Sequence, residues 1–266
     1  MQIRFLHSPA EAAAIVERYA HSVEYGRGTS YATVRDYCDS LDHLPQITGI
    51  DGDLKNAQRP WAVKAVLAQV PPPARVLEFG GGEPIVSGLL SELGYEVTLV
   101  DPYDGAGKGP TAYELFLEQF PHVRIAREYF RPRLPGLAPE SFDAILSNSV
   151  LEHLEADSLT ACFDAITEFL RPGGVSIHCF DFILEGHGDA YDFIQAQRIF
   201  AEQSQLSGEP EREPFQELME RLRADLETFY LSPQGHHQWR GGRPYSDFPF
   251  RKVVSLQTIA RRQVAS

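Results

Sequence analysis

The chain has 266 residues, 43% of them hydrophobic, which suits one elaborated domain with a substantial core. Its formal net charge of −13 argues against a general affinity for nucleic acid, because phosphates repel an acidic surface. No apolar run is long enough to cross a membrane, and the first residues lack the apolar core of a signal peptide. We therefore expect neither a nucleic-acid partner nor a membrane partner.

The cysteines are few and widely spaced. Cys38, Cys162 and Cys179 form no paired zinc motif, and so few thiols are typical of a reducing compartment. We therefore expect the protein in the cytoplasm, with Cys162 and Cys179 packed in apolar elements.

The N-terminal segment 1–54 is predicted to form a helical cap in front of the main domain. A helical pattern opens at Pro9, and a polar section rich in Tyr, Asp and Gly follows it. The next helix is predicted from Pro60 to about Val70, since proline is favoured in the first turn of a helix.

The middle of the chain alternates between apolar strands and helices. Predicted strands cover Val76–Phe79, Val97–Asp101 and Val123–Ala126, with helices near Pro84–Leu93 and Thr111–Gln119. This alternation implies a parallel sheet with helices on both faces, which is the α/β class.

The same pattern continues towards the C-terminus. A fourth strand is predicted at Phe142–Ser147, and the helix after it stops at the proline–glycine signal Arg171–Gly174. The fifth strand follows at Val175–Phe180. Residues Val253–Ala260 are predicted to form a late strand, antiparallel and at the edge of the sheet.

A long stretch separates the last two predicted strands. It spans roughly 70 residues, about twice what a crossover helix and one strand require. Helical patterns occur at about Tyr191–Gln205 and Pro214–Thr228, followed by a loop rich in His, Gly and Pro. We predict a main domain over 55–266 whose insertion, at about 183–250, encloses a substrate together with the cap.

A glycine turn and an acid carry the strongest functional signal. Gly80, Gly81 and Gly82 follow the first predicted strand, and they let a ligand lie directly against the backbone. Asp101 ends the next strand about 20 residues later, where an acid accepts hydrogen bonds from ribose hydroxyls. The arrangement indicates a pocket for a nucleoside-bearing cofactor.

The residues after the turn distinguish between two kinds of cofactor. A dinucleotide site has the pattern G-x-G-x-x-G, but Ile85 stands here in place of the third glycine. Glu83 also places negative charge where a pyrophosphate would bind. A sulfonium carries no phosphate, so S-adenosylmethionine is favoured, and a nicotinamide-dependent oxidoreductase is the alternative.

The chain resembles the class I S-adenosylmethionine-dependent methyltransferases over about 60–260. Motifs in the family's order carry the resemblance, namely Glu78–Gly82, Asp101, Ser141–Leu154 and Leu170–Gly174. The resemblance implies a Rossmann-like seven-stranded sheet, mostly parallel with an antiparallel edge strand. It also implies S-adenosylmethionine as the cofactor. Pro84 departs from the family pattern, which usually has a glycine there.

The resemblance further implies contacts with the methionyl and ribose parts of the cofactor. Phe79 and the turn Gly80, Gly81 and Gly82 are expected to lie against these parts. Glu78 is expected to place the amino group, and Asp101, with Pro102 beside it, to hold the ribose.

Two further pairs of residues are candidates for cofactor contact. Glu128, with Tyr129 beside it, follows the third strand, where the family usually contacts the adenine amine. A solvated loop charge is the alternative for Glu128. Asn148 and Ser149 follow the fourth strand and are expected to line the methyl-transfer site, or else to cap the next helix.

His153 is the candidate general base. It follows the fourth strand at the ligand-binding edge, and histidine titrates near neutral pH. The alternative is that His153 packs against or caps the helix that it begins.

We predict no metal site. Quinone-type O-methyltransferases can bind a divalent ion through Glu-x-x-Glu-His, but Ser149 replaces the first acid here. A second cluster contains His187, Asp189, His236 and His237, and such loop residues are more typical of a surface or a substrate loop.

The expected reaction is methyl transfer from S-adenosylmethionine to a small-molecule acceptor, more at oxygen than at nitrogen or carbon. Asn148 does not begin the Asn/Asp-Pro-Pro-aromatic motif of enzymes that methylate bases, which counts against a nucleobase. Tyr25, Tyr31, Tyr37 and the segment His236–Trp239 form an aromatic acceptor pocket or only pack. A non-catalytic cofactor-binding protein of the same fold is a further alternative, and a homodimer is left open.

Overall fold

The computed structural model describes residues 2–26, 28–106, 109–186, 193–210 and 213–264. Its strands are β1 Gly28–Tyr31, β2 Arg75–Phe79, β3 Glu96–Val100, β4 Arg124–Ala126, β5 Phe142–Asn148, β6 Leu170–Glu185 and β7 Lys252–Arg261. Its helices are α1 Pro9–Tyr19, α2 Val34–His43, α3 Lys55–Gln69, α4 Ile85–Glu92, α5 Tyr113–Gln119, α6 Ala156–Phe169, α7 Phe193–Ser207, α8 Phe215–Ala224 and α9 Pro233–Arg240. No helix within these ranges is long and apolar enough to cross a bilayer.

The strands form one seven-stranded sheet in the order β1-β7-β6-β5-β2-β3-β4. The strands from β2 to β6 are mutually parallel, whereas β7 is antiparallel to β6. Helices α1, α3 and α4 pack on one face, and α6, α7 and α8 pack on the other. The predicted α/β class, with a Rossmann-like and mostly parallel sheet, is confirmed.

The antiparallel strand β7 lies one place in from the edge of the sheet, not at the edge itself. The edge strand is β1, whose four residues pair antiparallel with β7, Gly28 lying opposite Ile259. A strand this short shows too little alternation to be recognised in a polar section. Segment 1–54 therefore supplies a strand as well as α1 and α2, and the division into domains stays a prediction.

Helices α3 and α9 differ from the sequence interpretation. Helix α3 begins at Lys55, so Pro60 lies inside it and not in its first turn. The Asp53 carboxylate accepts a hydrogen bond from the Lys55 N–H at 2.8 Å and starts the helix early. Helix α9 forms where a loop was expected, because the Ser232 hydroxyl accepts from the Gly235 N–H at 3.0 Å and caps it.

Strand β6 is longer than the predicted strand at both ends. It includes the residues Arg171–Gly174, which were expected to end a helix, because Leu170 already pairs with Phe142 of β5. At the other end, its pairing with β7 continues to Glu185. The helix predicted from Tyr191 begins outside the described residues, and α7 is described from Phe193.

The strand order places one crevice at the carboxyl ends of the parallel strands. Strand β2 pairs with β3 on one side and with β5 on the other, so the order of connections reverses there. Ligands of such sheets bind outside the strand ends at this reversal. The turn after β2 and the residues after β3, β5 and β6 therefore share one edge.

Candidate active site

The glycine turn after β2 leaves no room for side chains. Gly80 and Gly82 have positive φ of 65° and 56°, which favours glycine. A Cβ on Gly80 would meet Val150 at 2.6 Å, and one on Gly81 would meet the Glu78 carboxyl carbon at 2.8 Å. The turn is thus a bare stretch of backbone that closes tightly over the end of β2.

Glu78 is a buried carboxyl group beneath this turn. Its Oε2 accepts hydrogen bonds from the Ser87 N–H at 3.0 Å and the Ser87 hydroxyl at 2.5 Å. Its Oε1 accepts from the Asn148 side-chain amide at 3.3 Å. Burial raises the pKa of Glu78, and these hydrogen bonds oppose the rise. Glu78 therefore connects the end of β2, the start of α4 and the end of β5.

Asp101 lies at the end of β3 and is 9% exposed. It accepts hydrogen bonds from the Gly82 N–H at 3.0 Å and the Tyr103 N–H at 2.8 Å. Burial raises its pKa, and the two backbone donors oppose the rise. The Tyr103 hydroxyl donates to the Gly82 carbonyl at 2.8 Å, a contact that sequence reasoning missed. The predicted ribose acid and the predicted glycine turn are in direct contact.

Phe79 and Pro102 occupy different positions around this turn. The Phe79 ring is buried and stacks on Phe130 with centroids 4.5 Å apart, so its side chain packs in the core. Pro102 is half-buried, and its carbonyl accepts a hydrogen bond from Arg127 at 3.4 Å.

Asn148 ends β5 and Ser149 follows it, and together they connect the glycine turn with Gln58 and Asp181. The Ser149 backbone has a positive φ of 53°, and its hydroxyl donates to the Gln58 side chain at 2.8 Å. The Gln58 amide in turn donates to Asp181 at 2.8 Å. Gln58 is fully buried in α3, and neither it nor Asp181 was predicted from the sequence.

Glu152, in the turn after β5, and Asp181, within β6, form a buried carboxyl pair. They are 2% and 6% exposed, and Glu152 Oε1 accepts from the Asp181 N–H at 2.9 Å. Glu152 Oε2 has no hydrogen-bond partner among the described residues. Burial raises the pKa of Asp181 to about 7, and burial with the Asp181 charge raises the pKa of Glu152. Asp181 directly follows a predicted strand, which was the signal available in the sequence.

His153 closes a short 3₁₀ turn, Leu151–His153, beside this pair. Its side chain reaches the surface, yet partial desolvation lowers the imidazole pKa, and the Lys55 charge lowers it further. A neutral imidazole at neutral pH is able to accept a proton. Its role as a base stays a prediction.

The structure places Glu128 and Tyr129 apart from the buried acids. Both are exposed beyond β4, and Glu128 lies 4.0 Å from Arg131. The Tyr129 hydroxyl donates to Asp104 in the loop after β3. The pair is thus on the same edge as Asp101 but in solvent, and its contact with adenine stays a prediction.

The residues that were candidates for the acceptor pocket and for a metal site lie in several parts of the fold. The hydroxyls of the three tyrosines are used in hydrogen bonds within the protein. Tyr25 donates to Asp36 at 2.6 Å and Tyr31 to Asp225 at 2.8 Å. Tyr37 donates to the Gly49 carbonyl at 3.0 Å. His236 and His237 lie on α9, whereas His187 and Asp189 lie outside the described residues. In the ranges that the structure describes, no three His, Cys, Asp or Glu side chains are placed to hold a metal ion.

The sheet is Rossmann-like, and the glycine turn and Asp101 meet at the edge where such sheets bind their ligands. Residues 54–261, most of the chain, match the family described as Methyltransferase domain. The chain therefore belongs to this methyltransferase family. Its recognition as an S-adenosylmethionine-dependent methyltransferase, made from the motifs, is confirmed.

The chain is also similar to solved methyltransferase structures. The 1,6-didemethyltoxoflavin-N1-methyltransferase of Burkholderia thailandensis is 20% identical, with 99% of this chain and 94% of that chain covered and a TM-score of 0.43. The geranyl diphosphate C-methyltransferase of Streptomyces coelicolor A3(2) is 14% identical, with 94% and 98% covered and a TM-score of 0.41. A TehB-like methyltransferase of Corynebacterium glutamicum is 20% identical, with 63% and 80% covered and a TM-score of 0.43. Likenesses this low say nothing about the acceptor, and no curated protein sequence matches the chain.

Proposed function

We propose that this methyltransferase acts on an oxygen atom of a small-molecule acceptor. The observation that carries the cofactor assignment is the contact between Asp101 and the glycine turn. Two buried carboxyl groups, Glu78 and Asp101, lie on either side of bare backbone in which a Cβ at Gly81 has no space. Such a surface suits a cationic, phosphate-free ligand better than a pyrophosphate.

The residues of this cradle fit the parts of S-adenosylmethionine. Gly80, Gly81 and Gly82 present backbone to the methionyl and ribose groups, and Asp101 accepts from the ribose hydroxyls. Glu78 places the ammonium group, and its raised pKa falls when a cation binds beside it. When bound, the sulfonium supplies an activated methyl carbon.

Glu128, Tyr129, Asn148 and Ser149 are proposed to complete the cofactor site. Glu128 and Tyr129 are on a loop at the same sheet edge, where they would close over the adenine. Asn148 already touches Glu78, and Ser149 follows it at the end of β5. These two residues are therefore proposed to line the place where the methyl carbon meets the acceptor.

The preference for oxygen depends on a proton acceptor near that place. An alcohol or phenol must lose its proton as it attacks, and a positioned base typically contributes about 10²–10⁴-fold. His153 is proposed as this base, because its lowered pKa keeps the imidazole neutral at neutral pH. Alignment of the acceptor and exclusion of water supply the rest, roughly 7–11 kcal/mol in well-oriented reactions.

Two chain segments and the cysteines indicate where the acceptor binds and in which compartment the enzyme acts. We propose that segments 1–54 and 183–250 enclose the acceptor, since both reach the edge that carries Asp181. The three cysteines are free, which supports a reducing compartment such as the cytoplasm. A homodimer stays open.

Calorimetry tests whether the protein binds an S-adenosyl compound or a nicotinamide cofactor. S-adenosylhomocysteine should bind and NADH should not, whereas the opposite result would favour an oxidoreductase. Incubation with labelled S-adenosylmethionine and a metabolite extract should then give a labelled product with a methylated oxygen. Tight binding without any labelled product would favour a non-catalytic protein.

A further inference from the structure

A cluster of basic and aromatic side chains lies between α9 and the start of β7. We call it the Arg251 cluster, and its members are His236, Arg240, Arg243, Phe248 and Arg251. The Phe248 ring has the Arg243 guanidinium 3.9 Å and the Arg251 guanidinium 4.2 Å from its centroid. In a chain with a net charge of −13, this local excess of positive charge is unusual.

Among the described residues, no carboxylate is paired with the buried cation Arg251. The residue is 5% exposed, and its Nε has no hydrogen-bond partner among the described residues. Within the same residues, no carboxylate lies within ion-pair distance of Arg240, Arg243 or Arg251. A buried guanidinium is costly unless it is paired, and stacking on Phe248 offsets only part of that cost. Among the described residues, the positive charge of the cluster is therefore not balanced by a carboxylate, and an anion could pair with it.

His236 supplies a second set of unused polar atoms in the cluster. It is 5% exposed, and among the described residues its ring nitrogens make no hydrogen bond of good geometry, although the Phe248 backbone lies close enough to act weakly on the ring. The ring packs among Phe248, Phe250 and Tyr245, with centroids 5.5, 5.1 and 6.5 Å away. Burial, Arg251 and Arg240 lower its pKa, against a weaker opposite effect of the Phe248 backbone. A neutral imidazole can donate one N–H to a ligand.

The Arg251 cluster is tied to the edge of the sheet that carries the candidate active site. The Ser232 N–H donates to the Gly52 carbonyl at 3.0 Å, and the Trp239 indole donates to Asp53 at 2.7 Å. Lys252, next to Arg251, pairs with Glu185 of β6, the strand that carries Asp181. The cluster therefore lies at the same edge of the sheet as the place proposed for methyl transfer.

We propose that the Arg251 cluster binds a carboxylate or phosphate group on the methyl acceptor. The inference rests on the proposed function and narrows it to acceptors that carry an anionic group. Arg251 presents a planar guanidinium that suits carboxylate and phosphate oxygens, and His236 adds a neutral donor. The buried Phe248 ring covers one side of the Arg251 guanidinium and shields it from water. The anion thus orients the acceptor while its hydroxyl faces Asn148 and His153.

Calorimetry with two simple anions tests the subsite on the whole protein. Wild-type protein saturated with S-adenosylhomocysteine is titrated with inorganic phosphate and with benzoate at constant ionic strength. We expect saturable binding of at least one anion. Arg251→Gln should weaken it by at least about tenfold, as loss of a charged hydrogen bond does. Arg35→Gln, which removes an exposed arginine paired with Glu227, should leave it unchanged.

The affinity for S-adenosylhomocysteine distinguishes a failure of the proposed function from a failure of the anion subsite. If that compound does not bind to wild-type protein, the proposed function fails, whatever the anions do. If it binds but neither anion does, or if Arg251→Gln binds the anion as wild-type does, the subsite is overturned. Should Arg251→Gln also lose S-adenosylhomocysteine, His236→Phe replaces it. This variant keeps an aromatic ring in the cluster, and it must weaken anion binding for the proposal to stand.

Discussion

Glu78 and Asp101 are the two buried acids of the proposed cofactor cradle. Glu78 bonds to α4 and to Asn148, and Asp101 bonds to the turn itself. Both pKa values are raised by burial, so both side chains gain from a ligand that donates hydrogen bonds or carries positive charge.

Asp101→Ala should weaken the affinity for S-adenosylhomocysteine by about 1–3 kcal/mol, because hydrogen bonds to a charged acceptor are lost. Titration calorimetry measures the change. Asp42→Ala, at an exposed position on α2, is the matched control and should bind as wild-type does. Unchanged affinity in Asp101→Ala would remove Asp101 from the site.

His153→Ala should lower turnover by about 10²–10⁴-fold while cofactor affinity stays the same. Because the pKa of His153 is lowered, wild-type activity should fall only in acid, as the imidazole becomes protonated. The variant should lose that acidic limb. His122→Ala, at an exposed loop position, serves as the control. An intact pH profile in His153→Ala would show that the base is another group.

Among the helices and strands, those with a regular apolar pattern are predicted from the sequence. Those that depend on contacts between residues far apart in the chain are not. The strands and helices from β2 to β5 follow from apolar runs and glycine stops. Strand β1 exists only because β7 pairs with it, and α9 exists because Ser232 caps it. The glycines, Glu78 and Asp101 were found from motifs. Gln58 and Asp181 were missed because only the packing of α3 against the sheet brings them together.

Gly81→Ala tests the closeness of the turn to its neighbours. The added Cβ would lie 2.7 Å from Leu99 and 2.8 Å from the Glu78 carboxyl, so the turn must shift. We expect loss of S-adenosylhomocysteine binding and a fall of about 1–3 kcal/mol in the free energy of unfolding. Gly242→Ala, whose Cβ would meet nothing within 4 Å, should be neutral in both measurements. Equal behaviour of the two variants would contradict the geometry of the turn.

At the scale of the whole molecule, the two ends of the chain complete the sheet together. Strand β1 from the N-terminal segment covers the edge of β7, and Arg35 pairs with Glu227 across the same region. Gln195 donates to the Leu151 carbonyl beside Glu152, and the Ser232 N–H donates to the Gly52 carbonyl. The proposed cofactor cradle, the carboxyl pair and the Arg251 cluster share this edge of the sheet, which would give an anionic acceptor one fixed orientation.

The buried carboxyl pair should make the stability of the molecule depend on pH. The folded-state pKa of Asp181 is raised to about 7, so its stabilising contribution is full below about pH 4 and is lost as the pH rises through 7. Asp181→Asn cannot ionise, so at pH 8 it should exceed wild-type in free energy of unfolding, by on the order of 1–3 kcal/mol. Urea unfolding at pH 5 and pH 8 measures this. Asp247→Asn, which is exposed, should show no such gain, and a gain equally large at pH 5 would argue against titration of the pair.

A crystal structure of the protein with S-adenosylhomocysteine shows directly where the cofactor binds. We expect the adenosyl group against Gly80, Gly81 and Gly82, with both ribose hydroxyls within hydrogen-bond distance of the Asp101 carboxylate. A ligand bound elsewhere, or a cleft that stays empty at saturating concentration, would contradict this expectation.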